Sequence, residues 1–303
     1  MLGCHFGRMF QVTAAGGSYQ DGLTVVVQGC PPAMAITEQE IYGDLLLRKP
    51  GADELSSPRK EPDLPIIYTG VNAADTVENA EAIAAAAAAA ETMLTVGYSL
   101  RSHAGLRRLR ELVRSGVCGN IVGGRGMVGT YFTLMCATTP YRMTEPNALI
   151  TDYTHLLDYL GLLIGPIVRV SAESATLGEL AMMPRPNLFS AILTHESGAL
   201  SQFHADYIQH PQRSLAEVFG DRATLMYDFQ SYELRIYHRD RPGYEAETAV
   251  SARDDIYRVQ IADFLAQIHG DRVPICTAEE GVAALRVATA AVQSAAEHRA
   301  VEV

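Results

Sequence analysis

Short apolar runs that alternate with helical segments dominate the first third of the chain. The run Leu23–Gln28 (LTVVVQ) is β-branched and nearly continuously apolar, which is typical of a strand buried on both faces of a parallel sheet. The other predicted segments are strands at Leu45–Leu47, Leu64–Tyr68 and Met93–Tyr98, and helices over Ile36–Tyr42 and from Asp75 or Thr76 to about Glu91. Such alternation predicts parallel strands joined by crossover helices.

The pattern changes in the rest of the chain, where extended segments follow one another with short turns between them. Helices are predicted over Leu106–Arg114, Thr151–Leu163, about Ile256–His269 and Ala278–His298. Strands are predicted at Asn120–Phe132, Ile167–Glu173, Phe189–Thr194, Ala199–Tyr207, Leu215–Phe219, Ala223–Asp228 and Glu233–His238. Consecutive strands with short connections predict an antiparallel or mixed sheet.

Composition restricts the class of partner. Of the 303 residues, 48% are hydrophobic and 19% are charged, which is typical of a globular chain. The formal net charge is −11, and an acidic surface repels phosphate backbones and anionic lipids. We therefore expect neither a nucleic acid nor a membrane as the main partner, which leaves a small-molecule substrate open.

The five cysteines are widely spaced and include no C-x-x-C pair. This spacing indicates neither a zinc knuckle nor a disulfide framework, so we expect a reducing, cytoplasmic compartment. No basic region followed by an apolar run opens the chain, and the apolar stretch Ala82–Ala90 is too short to span a bilayer. We expect no metal site, because no pair of histidines has ligand spacing.

Five local motifs occur in a fixed order along the chain. They are Asp21-Gly22-Leu23-Thr24-Val25-Val26-Val27 with Pro31-Pro32-Ala33; Leu45-Leu46-Leu47-Arg48-Lys49-Pro50; Val96-Gly97-Tyr98-Ser99-Leu100-Arg101; Asp152-Tyr153-Thr154-His155-Leu156-Leu157-Asp158; and a tail with Phe264, His269-Gly270, Pro274 and Glu280-Gly281. In this order they resemble the glucose-fructose oxidoreductase, inositol dehydrogenase and rhizopine-catabolism (Gfo/Idh/MocA) family of dehydrogenases. The second and fourth motifs resemble the family's "E-K-P" strand end and "D…H-x-x-D" helix.

The resemblance implies an α/β fold in two parts. Residues 1–98 would form a truncated Rossmann-like domain with a parallel sheet. Residues 99–303 would form an α+β domain with an open, mostly antiparallel sheet, which binds substrate, mediates self-association and carries the C-terminal helices that pack back. By the same resemblance we expect a homodimer or homotetramer.

The chain departs from the family at the phosphate-binding loop. The family begins with a strand, a G-x-G-x-x-G turn and a helix whose N-terminus faces the pyrophosphate, and we expect this unit to be missing, because about twenty residues precede Asp21 and a βαβ unit needs about thirty. Gly124-Arg125-Gly126-Met127-Val128-Gly129 satisfies the motif literally, but a strand-like sequence follows it. We interpret it as a glycine-rich strand or bulge.

The resemblance also implies the residues that carry the chemistry. His155 would act as the acid or base at the substrate oxygen, Lys49 would stabilise the developing alkoxide, and Asp152 would orient the imidazole. Without the resemblance, His155 would be a structural histidine. Asp158 would cap or pair on the helix surface.

Further residues would line the two halves of the cleft. Tyr98, Arg101 and Thr151 would contact the substrate, although Arg101 could equally be a solvated charge. Pro31, Pro32 and Lys49 would lie beside the cofactor. A separate polar group, formed by His204, Asp206, Tyr207 and His210, would line the cleft or lie at the surface.

Two hypotheses about function remain open. The first is an oxidoreductase that transfers hydride between NAD or NADP and a sugar-like or cyclic polyol or ketone. The second is a cofactor-independent acid–base enzyme (an isomerase, lyase or cyclase) or a non-catalytic binding protein on the same fold, because the G-x-G-x-x-G loop is absent from its expected place.

Overall fold

The computed structural model describes residues 4–6, 11–16, 23–28, 39, 41–42, 45, 76–90, 92–135, 147–179 and 184–303. The chain divides into two compact units, Met1–Ala73 and Ala74–Val303. The division falls 25 residues before the boundary expected after Tyr98.

The first unit contains a three-stranded antiparallel sheet. Its strands are β1 (Cys4–Phe6), β2 (Gln11–Gly16) and β3 (Leu23–Gln28), in that order across the sheet. The strand predicted at Leu23–Gln28 is confirmed, but its parallel arrangement is wrong, because β2 and β3 pair antiparallel, with Gly16 opposite Leu23. A parallel pair needs a crossover of a dozen or more residues, and the short connection between these two strands allows only a hairpin.

Helical residues follow in the first unit. Gln39, Ile41 and Tyr42 are helical, as predicted, and Leu45 is helical too. The strand expected from Leu45 therefore does not begin at that residue. The predicted strand Leu64–Tyr68 lies outside the described residues.

The second unit begins with helix α1 (Val77–Ala89). The Oγ1 atom of Thr76 accepts a hydrogen bond of 3.2 Å from the Asn79 backbone N–H, so Thr76 is the N-cap residue of α1. The strand predicted at Met93–Tyr98 is wrong, because the segment has no regular secondary structure. It is tied instead to one carbonyl, since the Val96 N–H and the Thr95 hydroxyl both donate to Cys276 O across 3.0 Å.

A nine-stranded sheet forms the centre of the second unit. The strands in chain order are β4 (Ile121–Gly129), β5 (Ile167–Ala175), β6 (Leu188–His195), β7 (Leu200–Asp206), β8 (Arg213–Gly220), β9 (Ala223–Asp228), β10 (Glu233–His238), β11 (Glu245–Thr248) and β12 (Val301–Glu302). Their order across the sheet is β11-β10-β9-β8-β4-β7-β6-β5-β12. Only the β4–β7 pair is parallel, so the mostly antiparallel sheet is confirmed.

Helices cover one face of this sheet. The helices are α2 (Ala104–Arg114), α3 (Phe132–Met135), α4 (Ala148–Asp152), α5 (Thr154–Ile164), α6 (Arg253–Ile268) and α7 (Ala278–Glu297), with a 3-10 turn at Ser99–Ser102 before α2. Helix α2 contacts β9 and β10, α5 contacts β4 and β7, and α7 contacts β5 and β12. Phe189, Ala191 and Leu193 of β6 are buried, whereas the alternating residues Ser190 and Ile192 are not, as the two-residue period of a half-covered sheet requires.

The glycine-rich strand β4 lies under helix α5. A Cβ at Gly126 would lie 2.8 Å from the Tyr159 Oη atom, and one at Gly124 would lie 2.5 Å from Glu217 O and 2.7 Å from Ile164 Cδ1. The glycines therefore permit close packing of the helix on the sheet. The interpretation of residues 124–129 as a glycine-rich strand is confirmed.

None of the helices in the described residues is long and apolar enough to cross a membrane.

Candidate functional site

The sequence-predicted site lies where helix α4 meets helix α5. A single helix was expected over Thr151–Leu163, but Tyr153 leaves helical geometry, with φ −115° and ψ 21°, and divides it. Thr151 and Asp152 therefore end α4, and His155 lies in the first turn of α5. Residues three or four apart share a face only within one continuous helix. Asp152 and His155 lie on two separate helices, so their spacing in sequence does not place their side chains together.

The Asp152 carboxylate contacts the end of strand β7. The Tyr207 hydroxyl donates to Asp152 Oδ2 across 2.6 Å, and Tyr207 is fully buried. This bond holds the end of α4 against the sheet. The orienting contact from Asp152 to the imidazole stays a prediction.

His155 is half-buried beside two carboxylates. The Tyr153 ring lies edge-on to the imidazole, with 6.4 Å between ring centroids. Burial lowers the pKa of His155, and the negative charges of Asp158 and Asp152 act in the opposite direction. Burial therefore favours the neutral imidazole, which is the form that can accept a proton.

Arg101 forms a buried ion pair with Asp158. The side chains are 4% and 3% exposed, the Nε atom lies 3.1 and 3.0 Å from the two carboxylate oxygens, and the Nη2 atom lies 2.5 Å from Oδ1. The Nη1 atom donates to Glu280 Oε2 at 2.6 Å and to Ile275 O at 2.8 Å. All three guanidinium nitrogens thus bond within the chain.

This arrangement bears on two predictions. The interpretation of Arg101 as a solvated charge is wrong, because the guanidinium is buried. A surface position for Asp158 is wrong for the same reason. The predicted substrate contact of Arg101 stays a prediction that this geometry does not favour.

Tyr98 lies beside Thr154, the first residue of α5. The Tyr98 hydroxyl bonds the Thr154 side chain, and burial raises the Tyr98 pKa to about 12, so the phenol keeps its proton and remains a hydrogen-bond donor at neutral pH. Thr151 is exposed, and its hydroxyl donates to Asn147 O across 3.3 Å. Tyr98, Arg101, His155 and Asp158 therefore surround the start of α5, and Thr151 lies at the surface of α4.

The other predicted site residues have different outcomes. Pro31, Pro32 and Lys49 lie outside the described residues. Tyr207, which sequence analysis grouped with His204 and Asp206, belongs with Asp152. His204 instead bridges Ser190, at 2.7 Å from Nδ1, and Asp206, at 3.0 Å from Nε2.

Within the described residues, no three histidine, cysteine, aspartate or glutamate side chains are grouped as metal ligands would be. Nor does strand β4 offer a phosphate cradle, since its glycines are packed against α5 and neighbouring strands.

Residues 146–303 match the model of the oxidoreductase family, C-terminal alpha/beta domain of the Gfo/Idh/MocA type. The match covers more than half of the chain and includes α4 and α5. The chain belongs to this family. The family predicted from the ordered motifs is thereby confirmed.

Solved structures of oxidoreductases share the fold. An oxidoreductase from Agrobacterium radiobacter, in complex with NAD+, L-tartaric acid and magnesium, is 19% identical with a TM-score of 0.67 over 76% of this chain and 70% of that chain. An NAD binding oxidoreductase from Klebsiella pneumoniae is 20% identical with a TM-score of 0.67, over 75% and 70%. Levoglucosan dehydrogenase in complex with NADH is 17% identical with a TM-score of 0.67, over 75% and 70%.

The beginning of the chain is similar to a different enzyme. Residues 10–92 match the chorismate synthase model. The chloroplastic chorismate synthase of Capnoides sempervirens is 46% identical over 69 residues, which are 23% of this chain and 15% of that protein. The enzyme of Crocosphaera subtropica is 41% identical over 70 residues, 23% and 19% of the two chains. The chain thus spans less than a quarter of the length of these curated relatives.

This second similarity changes the interpretation of two motifs. Asp21–Val27 and the run ending in Lys49-Pro50, which resemble the dehydrogenases' cofactor domain, lie within the chorismate synthase match and outside the oxidoreductase match. The motifs at 96–101 and 152–158 and the tail lie outside the chorismate synthase match. A G-x-G-x-x-G unit is therefore not expected of the segment that precedes α1.

Proposed function

We propose that the second unit carries the acid–base half of an oxidoreductase site, in which His155 exchanges a proton with the oxygen of a sugar-like or cyclic polyol or ketone. Family membership over residues 146–303 gives the reaction class. The observation that carries the proposal is the position of the half-buried His155 imidazole in the first turn of α5, beside Asp152 and Asp158.

The chemistry follows from the protonation states. Oxidation of a secondary alcohol removes a hydride from carbon and a proton from oxygen. His155 accepts that proton, because its lowered pKa keeps it neutral, and returns it in the reducing direction. Tyr98, whose phenol stays protonated, would exchange its bond to Thr154 for one to the substrate oxygen. Lys49, which the resemblance placed at the alkoxide, lies within the chorismate synthase match and has no part in this proposal.

The nicotinamide cofactor, NAD or NADP, is proposed from resemblance and from neighbours whose structures contain NAD+ or NADH. It would accept or deliver the hydride. The described residues do not fit its pyrophosphate, because the one G-x-G-x-x-G sequence is a strand whose glycines are filled by packing.

Calorimetric titration of the purified protein with NADH and NADPH tests the redox proposal. Micromolar binding supports it, and a survey of polyol substrates should follow. The absence of binding heat at millimolar cofactor would contradict the redox proposal for this chain. His155→Asn provides the matched variant, because it should retain cofactor binding and lose turnover.

A second candidate function has an observation in its favour. Residues 10–92 match the chorismate synthase model, so the acid–base groups of the second unit would work without a redox cofactor, as in an isomerase, lyase or cyclase, or the fold would only bind a ligand. Incubation of the protein with ketoses in deuterated water, followed by NMR, distinguishes these. Exchange of the proton next to the carbonyl that disappears in His155→Asn supports the acid–base enzyme.

We also propose a homodimer or homotetramer. Val122, Ile192 and Leu200 are each more than half exposed on strands β4, β6 and β7, and exposed apolar side chains on a sheet favour self-association. Size-exclusion chromatography with light scattering should give a multiple of the 32.8 kDa protomer mass. A monomer at all concentrations would contradict this proposal.

A cytoplasmic location is proposed as well. Cys118 and Cys276 are buried free thiols, which suits a reducing compartment. Fractionation of the source cells, with the protein detected by antibody, tests it.

A further inference from the structure

The Arg101–Asp158 ion pair is not explained by stability alone. Both side chains are almost fully buried, and removing two charges from water costs about as much as their attraction returns. Apolar residues of similar volume would often stabilise such a position equally well. The pair therefore suggests a role in placing a neighbouring group.

The neighbouring group is His155. Asp158 follows it by three residues on the continuous helix α5, so the two side chains share one face. The negative charge of Asp158 acts on the imidazole and opposes the effect of burial. Asp152, from α4, is the other charged group that acts on it, and the Tyr153 ring lies edge-on to it.

Arg101 joins three segments at this point. It lies in the 3-10 turn Ser99–Ser102, binds Asp158 on α5, and binds Glu280 in the first turn of α7. Glu280 is itself fixed by the capping box with Thr277, since the Thr277 N–H donates to Glu280 Oε2 across 3.0 Å and the Glu280 N–H donates to Thr277 Oγ1 across 3.2 Å. A displacement of α5 would break the Arg101–Asp158 bonds that join this helix to the other two segments.

We propose that Arg101 and Asp158 are positioning residues for His155: the guanidinium fork holds the Asp158 carboxylate, and with it the first turn of α5, so that a fixed negative charge lies beside the imidazole. This inference rests on the proposed function only for what His155 does to a substrate. The placement of His155 is a property of the free protein.

The Arg101 network supplies its own control. Asp158→Asn and Glu280→Gln each remove one carboxylate from the same guanidinium and keep the shape of the side chain. Of these two carboxylates, Asp158 lies on the helix face of His155 and acts on its imidazole electrostatically, and Glu280 does neither. A purely structural pair would respond alike to the two substitutions.

The experiment is a pH titration of the histidine Cε1–H resonances by NMR in the full chain, with His155→Asn to assign the signal. In Asp158→Asn the His155 midpoint should move to lower pH, because the charge that favours imidazolium is lost. In Glu280→Gln it should stay at the wild-type value. Equal midpoints in wild type and both variants would overturn the proposal.

Arg101→Lys tests the positioning role independently, in case Asp158→Asn does not fold. Lysine retains the positive charge but cannot make the two-nitrogen fork, so the His155 resonance should broaden or split as the first turn of α5 becomes less fixed. A single sharp resonance at the wild-type position in a folded Arg101→Lys protein would contradict the positioning role.

The outcome is separable from the redox proposal, since the titration needs neither cofactor nor substrate. Failure to bind NADH together with a shifted His155 titration midpoint in Asp158→Asn would contradict the dehydrogenase proposal and support the positioning role of the pair. Tight NADH binding with an unchanged midpoint would support the dehydrogenase proposal and contradict the positioning role of Arg101 and Asp158.

Discussion

Tyr207 donates its hydroxyl hydrogen to the Asp152 carboxylate across 2.6 Å, and this bond ties the end of helix α4 to the residue that follows strand β7. The tyrosine is fully buried. The bond fixes one side of the helix break at Tyr153, while Arg101 fixes the other side through Asp158. The site is thus held from the sheet and from the helical layer.

Removal of the Tyr207 hydroxyl should therefore destabilise the fold. Tyr207→Phe leaves the Asp152 carboxylate without this donor, and a hydrogen bond to a charged group contributes about 1.5–3 kcal/mol to the free energy of unfolding. Chemical denaturation measures the loss. Tyr257→Phe on the exposed face of α6 is the control and should change the free energy by less than about 0.5 kcal/mol. Equal stability of the two variants would contradict the assignment.

Gly126 in the packed strand β4 and Gly161 in helix α5 should differ in how substitution by alanine changes stability. Gly126→Ala places a Cβ 2.8 Å from Tyr159 Oη and 3.2 Å from Leu160 Cδ1, and overpacking of this kind costs about 1–3 kcal/mol. Gly161→Ala, within α5, meets nothing within 4 Å and should be neutral or stabilise by up to about 1 kcal/mol, because alanine favours a helix. Thermal unfolding compares them. A Gly126→Ala protein as stable as wild type would argue against close packing here.

His103 predicts how stability depends on pH. It caps α2 by accepting a hydrogen bond of 3.2 Å from the Gly105 N–H at Nδ1, and burial lowers its pKa from 6.5 to about 4. Since the unfolded chain takes up the proton first, the free energy of unfolding should fall as pH drops from about 6.5 to about 4. The slope should approach about 1.4 kcal/mol per pH unit.

The matched variant for this pH effect is His103→Asn. Asparagine is a good N-cap residue and does not titrate, so denaturation midpoints of the variant should fall less steeply between pH 7 and pH 4 than those of the wild type. Parallel curves for the two proteins would show that His103 does not carry the effect. His155 and His195, whose pKa values burial also lowers, contribute to the slope that remains.

The proposed proton transfer gives a kinetic prediction. With a polyol or ketone substrate found by the cofactor-dependent survey, His155→Asn should lower kcat by about 10²–10⁴-fold, which is the usual contribution of a general acid or base. NADH binding should be unchanged in calorimetry. His269→Asn, at an exposed position after α6, is the control. Full activity of His155→Asn would remove the residue from the mechanism.

The sequence was a good guide where each element was independent of distant ones. The strands from Ile167 to His238 show two-residue alternation and short turns, which are local signals, and all six form. The strand predicted at Met93–Tyr98 does not form, because a short apolar stretch does not specify a neighbouring strand with which to pair. Leu23–Gln28 failed only in direction, since the upstream strand that makes a hairpin with it has no strong pattern of its own.

The site was predictable to a similar extent. The motif around His155 was recognised, but the break at Tyr153 was not, because tyrosine is not a helix breaker and the geometry depends on tertiary contacts. The Arg101–Asp158 pair joins residues far apart in sequence, and charges that far apart carry no sign of their pairing. Glu280, the other carboxylate that binds Arg101, was part of the tail motif, but no local pattern indicated this bond.

The place of β4 in the sheet has a consequence for how the chain folds. Residues 121–129 lie between β7 and β8, whose residues come about seventy or more positions later in the chain. A nascent chain that has emerged only as far as β6 therefore exposes both edges of this strand, and non-local pairing of this kind slows folding. Open strand edges invite pairing between molecules, so translation pauses before Leu200 are where aggregation during synthesis should begin.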